Sequence, residues 1–225
     1  MSNIVIGLAG VKTSGKSTVT NIIRKYFDLK EAALAEKLKV ASAETFKVAR
    51  SDFDDQRYKE VPFAEGPKIL TEDSIRSLLT FFKVNPDELI DPVLYTKRID
   101  TYRDIIGMKL ESPRKIAQIV GTEVLRRVGE DIHCENLEFN DSGVTVVSDM
   151  RFPNEFAYLS RKQGIKFIPI YIKREAAESQ VTPQSHSSET SVFKFCNECF
   201  LVDNNGSLEE TERQVLKIIK EQLNG

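Results

Sequence analysis

Cysteine is scarce, at 3 of 225 residues, histidine occurs twice and tryptophan not at all. Three cysteines make no disulfide framework for a chain of this length, so a reducing, cytoplasmic setting is expected. Charge of either sign is not in excess: 32 Lys and Arg stand against 34 Asp and Glu, a formal net charge of -2. Such a balance supplies no basic field for a phosphate backbone, and no nucleic-acid partner is expected. Long apolar runs are missing too. Phe167 to Ile172 is among the longest, far short of the roughly 20 residues that cross a bilayer. The opening MSNIVIGLAG lacks the basic segment and apolar stretch of a secretory signal, and no membrane partner is expected. Repeats and low-complexity tracts are absent. What remains, 40% hydrophobic and 29% charged, is an ordinary globular composition. The length fits one domain, or one domain with an inserted subdomain.

Strand-like and helical segments alternate. Ile4 to Leu8 is a continuous apolar run, as a buried parallel strand requires. From Lys16 to Phe27 the residues Val19, Ile22, Ile23 and Phe27 recur at helical spacing. Thr145 to Val147 is a second strand-like run, ending in Ser148-Asp149. A helix is predicted over Asn154 to Lys162, with Asn154 as N-cap and Gly164 past its end. Phe167 to Ile172 reads as a strand whose Pro169 cannot donate to a ladder, predicting a bulge or an edge. Phe200 to Val202 is a further strand. Ser207-Leu-Glu-Glu210 is a capping box opening a helix with Leu208, Val215, Ile218, Ile219 and Leu223 on its apolar face. Glu31 to Ala35 is ambiguous between helix and strand. The alternation predicts an α/β fold, a parallel sheet covered by helices in three layers. Its core spans 1–44 and 139–225. The stretch from about 45 to 138 shows no strand signal and reads as a helical insertion, with helices at Thr71–Phe82, Asp91–Ile106 and Pro113–Val128. Asp91-Pro92 and Ser112-Pro113 supply capped, proline-led starts.

Gly10-Val-Lys-Thr-Ser-Gly-Lys-Ser17 matches the pattern GxxxxGK[ST], after an apolar strand and before an amphipathic helix. Glycines at Gly10 and Gly15 let backbone N–H groups curl around phosphate oxygens. Thr13, Ser14, Ser17 and Thr18 line the turn, and the helix start adds partial positive charge. Lys16 is placed to reach the β- and γ-phosphates of ATP, and the Ser17 hydroxyl to join a Mg²⁺ shell. Asp149, closing an apolar strand, is the natural second magnesium group; its alternative is a turn or cap aspartate. These features predict a small-molecule kinase. The phosphate loop lies close to the first residue, leaving little room for motor modules. Lys12, Arg114 and Arg151 are placed to hold a second phosphate. A basic residue taken singly more readily suits a solvated surface, with Arg151 the exception, because the strand end beside Asp149 aims it at the crevice. The polar, turn-rich segment from Arg174 to Ser191, within about 173–199, suits a short lid.

Six stretches in order along the chain resemble the phage-type deoxynucleoside monophosphate kinases, a branch of the P-loop nucleoside monophosphate kinases. They are Gly10 to Thr18, Leu34 to Lys39, Arg114 to Glu123, Asp149-Met-Arg-x-x-x-Glu155, His186-Ser-Ser-Glu189 and Asn205 to Glu210. The resemblance implies a P-loop fold with a helical substrate-binding insertion and a lid. It further implies Mg-dependent transfer of the ATP γ-phosphoryl group to a deoxynucleoside monophosphate, in a host cytoplasm. Small-molecule nucleotides would be the partners, and a homodimer is compatible. Lys12, Lys39, Arg114 and Arg151 would hold the acceptor monophosphate. Glu155 would orient the Arg151 guanidinium or contact the base or sugar. Gly121, where a mid-helix glycine costs about 1 kcal/mol, would let the substrate approach the backbone, with Thr122 supplying a hydroxyl; a helix-packing glycine is the alternative. Arg174 would be the lid arginine, with Lys173 its rival, and Asn205-Gly206 the loop packing on adenine.

The chain also departs from the family. An aromatic residue is expected about a dozen positions after Gly121-Thr122 to stack on the acceptor base, and His133 stands there instead. His186 reads as a lid-folding residue rather than a base, since a phosphate acceptor needs positioning more than proton abstraction. Cys196-x-x-Cys199 suits packing beside a strand, with zinc binding as the lesser alternative. A dephospho-coenzyme A kinase-like enzyme and a nucleotide-binding regulatory module are the competing functions. The absence of an Asn-Lys-x-Asp sequence argues against a GTPase switch.

Overall fold

Five segments build the sheet in the computed structural model, which describes residues 3–140, 143–185 and 187–224. They are β1 (Asn3–Ala9), β2 (Leu29–Ala32), β3 (Val144–Met150), β4 (Ile165–Lys173) and β5 (Phe200–Asp203). Their spatial order is β2-β3-β1-β4-β5, and every neighbouring pair is parallel. Because successive side chains alternate faces, β1 sends Ile6 and Leu8 to one side and Val5 and Ala9 to the other. Ile6 and Leu8 pack with Val19, Ile22 and Ile23 of helix α1 (Lys16–Tyr26) and with Val215 and Ile219 of the helix Leu208–Asn224. Val5 and Ala9 pack with Leu159 of the helix Pro153–Arg161 and with Ala177, Val192 and Phe195. Helices on both faces of a parallel sheet give the three-layer α/β fold expected from the alternation. They also explain why the interior strands are largely apolar on both faces while the edge strands β2 and β5 are less buried.

The chain divides into two units, Met1–Leu34 with Cys134–Gly225, and Ala35–His133. The second unit therefore starts at Ala35, and the helix Glu36–Phe46 falls in it. Its own core gathers Leu38, Phe46, Ile75, Leu79, Tyr102, Ile116 and Leu125. The helix Glu72–Phe81 begins at a reciprocal Thr71–Ser74 capping box. Pro113–Ile119 starts at Ser112, whose hydroxyl accepts from the Lys115 N–H, and runs into a π turn, Val120–Val124, and a tighter turn, Leu125–Arg127.

Four local expectations are corrected. The segment 91–106 is not one continuous helix: only Arg98–Tyr102 winds, as a short 3-10 turn. Asp91 Oδ1 accepts from the N–H groups of Val93 and Leu94 at 2.9 and 3.0 Å, so the aspartate closes a turn instead of capping a helix. Leu89–Asp91 then pairs antiparallel with Thr96–Lys97. Val93, Leu94 and Tyr95 are 85%, 73% and 80% exposed, so the first turn of the expected helix has no buried face to hold it, and burial begins only at Ile99 and Tyr102. Strands do occur in this unit, since Lys68–Ile69 also pairs with Lys109–Leu110. Asn154 is not an N-cap: the helix starts at Pro153, and the Glu155 carboxylate takes the N–H groups of Arg151 and Phe152. Pro169 sits in an interior strand without a bulge, opposite Gly7. Pairing with β5 begins only at Ile170, so at Pro169 the strand has a neighbour on one side alone, which spares the missing donor. The ambiguous Glu31 to Ala35 begins as the end of β2.

Candidate functional site

Between β1 and α1 the loop Gly10–Gly15 bends back on itself. Gly10, Thr13 and Gly15 carry φ values of 152°, 64° and 108°, a run of left-handed conformations that glycine adopts without strain. The Ser14 N–H closes the turn onto the Val11 carbonyl at 3.3 Å. The N-cap of α1 is Gly15, which has no side chain to cap the helix, and its first N–H groups have no acceptors within the helix. Ser14 Oγ is fully enclosed and has no hydrogen-bond partner among the described residues. Open donors, aligned dipoles and an unsatisfied hydroxyl fit an anion such as a phosphate chain. Ser17 and Thr18 lie exposed on the first turn of α1.

Lys16 folds over this loop, donating to the carbonyls of Gly10 at 2.6 Å and Val11 at 2.8 Å. Burial, and then the Arg151 guanidinium, push its pKa down to about 8, while Glu189 and Asp149 pull the other way. These four charged groups therefore share one locality at the carboxyl end of the sheet. Asp149, near the end of β3, accepts from the Leu34 N–H through Oδ1 at 2.7 Å. Arg151 follows, its backbone held by Glu155 Oε2 at 2.7 Å and its Nη1 donating to Glu189 Oε1 at 2.7 Å. Glu155 is buried and positions the Arg151 main chain.

Glu189 was named in the sequence only as part of a motif, and its role emerges from the fold. Its other oxygen accepts from the Lys12 N–H at 2.7 Å, so one buried carboxylate joins the loop to the arginine. Burial raises its pKa, but Arg151, the Lys12 N–H and Lys16 outweigh that, and the net shift is downward. Nothing in local sequence signals this contact, which spans 177 positions. Beyond β4, Arg174 is exposed and its Nη1 donates to the Thr13 carbonyl at 3.3 Å, whereas Lys173 lies 3.8 Å from Glu175. Of the two rivals, Arg174 is the one on the Gly10–Gly15 loop. The rest of this segment is anchored by buried Ala177, Val192 and Phe195. His186 lies outside the described residues. Asn205 accepts the Glu175 N–H at 2.9 Å. A Cβ on Gly206 would meet Glu210 Oε2 at 2.1 Å, because that carboxylate caps the Ser207 N–H.

The remaining candidates lie in the second unit. Lys39 pairs with Asp54 at 2.6 Å, and Arg114 stands 3.7 Å from Glu60, with its N–H on the Lys59 carbonyl. Gly121 is in the π turn, where a Cβ would lie 3.3 Å from Leu38, a close helix contact. Thr122 turns its hydroxyl onto the Gln118 carbonyl at 2.8 Å. His133 is buried, with Nε2 3.4 Å from the Gly121 carbonyl. Cys196 and Cys199 are free thiols, and burial raises the Cys199 pKa to about 12. Among the described residues no group of three or more His, Cys, Asp or Glu stands ready to hold a metal. Ser17 and Asp149 are nonetheless oxygen donors of the class magnesium takes, and a magnesium bound through substrate phosphates needs only one or two protein ligands. No helix among the described residues is long and apolar enough to cross a membrane.

The chain is similar to a deoxynucleoside monophosphate kinase. That relative, the deoxynucleoside-5'-monophosphate kinase of Escherichia phage T5, is 25% identical over 215 residues, covering 84% of this chain and 85% of its own. The resemblance seen in the motifs is thus borne out across most of the sequence. No family model matches. Among solved structures, the Thermus thermophilus protein TT1252 aligns over 100% of both chains, with a TM-score of 0.41 and 16% identity. A dephospho-CoA kinase from Campylobacter jejuni aligns over 99% of both, with a TM-score of 0.38 and 13% identity.

Proposed function

We propose that the protein is a nucleotide kinase that transfers the γ-phosphoryl group of ATP to a deoxynucleoside monophosphate, giving ADP and the deoxynucleoside diphosphate. The observation that carries this reading is the clustering of Lys16, Arg151, Asp149 and Glu189 beside a loop whose positive-φ turns suit an anion. A loop alone specifies phosphate binding and not the acceptor. The phage T5 relative supports the acceptor class.

The loop and the start of α1 would bind the ATP phosphates. Lys16 would exchange its two carbonyl contacts for phosphate oxygens, regaining full charge stabilisation as its partners become anionic. Arg151 would hold the acceptor phosphate, with Glu155 fixing its backbone and Glu189 its guanidinium. Arg174, already on Thr13, would spread over the charge that develops between donor and acceptor. Magnesium held by Ser17 and Asp149 would supply neutralisation of that charge. No general base is required, because the attacking group is already a phosphate oxygen and catalysis rests on positioning and charge. Small-molecule nucleotides are the partners this chemistry calls for, in a cytoplasmic setting where ATP is supplied.

The test is ADP release in a coupled assay across all deoxynucleoside and ribonucleoside monophosphates, with dephospho-coenzyme A alongside. ADP release stimulated by a deoxynucleoside monophosphate supports the proposal. Stimulation by dephospho-coenzyme A alone, or by no acceptor, refutes it.

A further inference from the structure

The turn after β5 carries two adjacent asparagines, and only Asn205 was singled out by the motif. Asn204 is the one that reaches the phosphate loop. Its Nδ2 donates to the Ser14 carbonyl at 2.8 Å, across 190 positions. Its Oδ1 accepts from the Thr211 hydroxyl at 2.9 Å, and Thr211 is fully buried. The Asn204 backbone is fixed as well, its N–H donating to the Lys173 carbonyl at 2.9 Å. Donor and acceptor ends of the amide are therefore both assigned, which leaves it one orientation. A Cβ placed on Gly15 would come within 2.2 Å of Asn204 Nδ2. The second glycine of the loop thus makes room for a protein amide, besides accommodating a φ of 108°.

We propose that Asn204 is a positioning residue for the phosphate loop. It holds the Ser14–Gly15 peptide in the anion-binding conformation and ties that loop to the β5 turn; the acceptor-only Ser14 carbonyl sets the direction of the amide, and Thr211 braces its other end. The inference rests on the reading of the loop as the ATP site. Asn205 extends the same tie, because its Oδ1 takes the N–H of Glu175, the residue after Arg174. A single turn would then set both the loop and the chain segment bearing the lid arginine.

Calorimetric titration of the full chain with adenylyl imidodiphosphate and Mg²⁺ tests this without any acceptor. Asn204→Ala, which removes one neutral hydrogen bond and its support, is expected to bind about three- to tenfold more weakly than wild type. Asn204→Asp is expected to bind more weakly still, because it sets a carboxylate against the Ser14 carbonyl. Thr211→Val keeps the shape but loses the hydroxyl, and is expected to weaken binding about two- to threefold, while Thr211→Ser restores it. This pair decides the matter even where Asn204 variants fold poorly, and rescue by serine separates positioning from packing. Wild-type binding with Asn204→Ala and Thr211→Val within experimental error of it overturns the inference while leaving the kinase reading intact. Failure of the wild-type protein to bind the analogue removes both.

Discussion

Replacing Glu189 by Gln is the perturbation on which the charged cluster makes its clearest statement. The wild-type carboxylate is 2.7 Å from both the Lys12 N–H and Arg151 Nη1, and its side chain is only 11% exposed against 28% for Arg151. Glutamine preserves the shape and one acceptor, but turns an NH₂ group toward a donor. The local balance of Lys16, Arg151, Asp149 and Glu189 changes from neutral to one net positive charge. Removing one partner of a buried pair costs about 3–5 kcal/mol. Retention of one acceptor and the partial exposure of Arg151 reduce this to about 2 kcal/mol. For a chain of this size that corresponds to a melting temperature lower by roughly 4–8 °C at pH 7. The deficit has a pH signature. The folded pKa of Glu189 lies below its ordinary value, so its contribution is complete above the unfolded carboxylate pKa of about 4.3. It is lost as pH falls through the lower folded value. Wild type and Glu189→Gln are therefore expected to diverge above about pH 5 and converge in stronger acid. Calorimetric scans of the nucleotide-free protein between pH 4 and 8 measure both effects. Added ATP analogue, which supplies anionic partners to the same cations, is expected to raise the variant's melting temperature more than the wild type's. A variant melting within 1 °C of wild type at pH 7 refutes the account of Glu189 as the anion that holds the cluster together.

Lys16→Ala is expected to cut acceptor-dependent turnover at least a hundredfold, a loss of roughly 3 kcal/mol or more of transition-state stabilisation, with an unchanged circular dichroism spectrum. Retention of a tenth of wild-type turnover would remove Lys16 from the machinery. Arg174→Ala is expected to lower kcat more than it weakens ATP, while Lys173→Ala leaves both near wild type, as steady-state kinetics on the two variants will show. Arg151→Lys keeps one contact to Glu189 but loses the bidentate fork. It is expected to weaken the acceptor monophosphate about thirtyfold, roughly 2 kcal/mol, and an ATP analogue hardly at all. Equal weakening of both ligands would put Arg151 on the ATP phosphates.

The α/β unit was legible because its signals are local and redundant. A parallel strand buried on both faces must be largely apolar, and Ile4 to Leu8 and Thr145 to Val147 announced themselves in that way; the edge run Phe200 to Val202, of which only Val202 is buried, was apolar enough to be read as well. The phosphate loop was legible for a different reason: its glycines, lysine and serine are contiguous, and every constraint acts over eight positions. The middle of the chain resisted because its decisive groups serve two structures equally well. An aspartate before a proline caps a helix or closes a turn, and only the exposure of Val93, Leu94 and Tyr95 settles which. Pro169 misled for a related reason, since a proline's tolerance depends on where a neighbouring strand begins, and that is a property of another segment.

The site divides along the same line. The residues proposed to hold phosphate or magnesium are marked by type and spacing, so Lys16, Ser17, Asp149 and Arg151 stood out before any fold was available. Residues that hold those residues in place are marked by nothing local. Glu189 reaches Lys12 across 177 positions, and Asn204 reaches Ser14 across 190, and each does so because adjacent parallel strands bring their carboxyl ends to one edge of the sheet. β1 lies between β3 and β4, so the loop leaving β1 is flanked by the segments leaving both. Arg151 comes from one side, and Glu189 and Arg174 from the other. Asn204 arrives from β5, one strand further out. The strand order alone thus dictates that the phosphate loop be supported from both flanks. A polar residue just past the end of a flanking strand is then a candidate support even when it belongs to no motif.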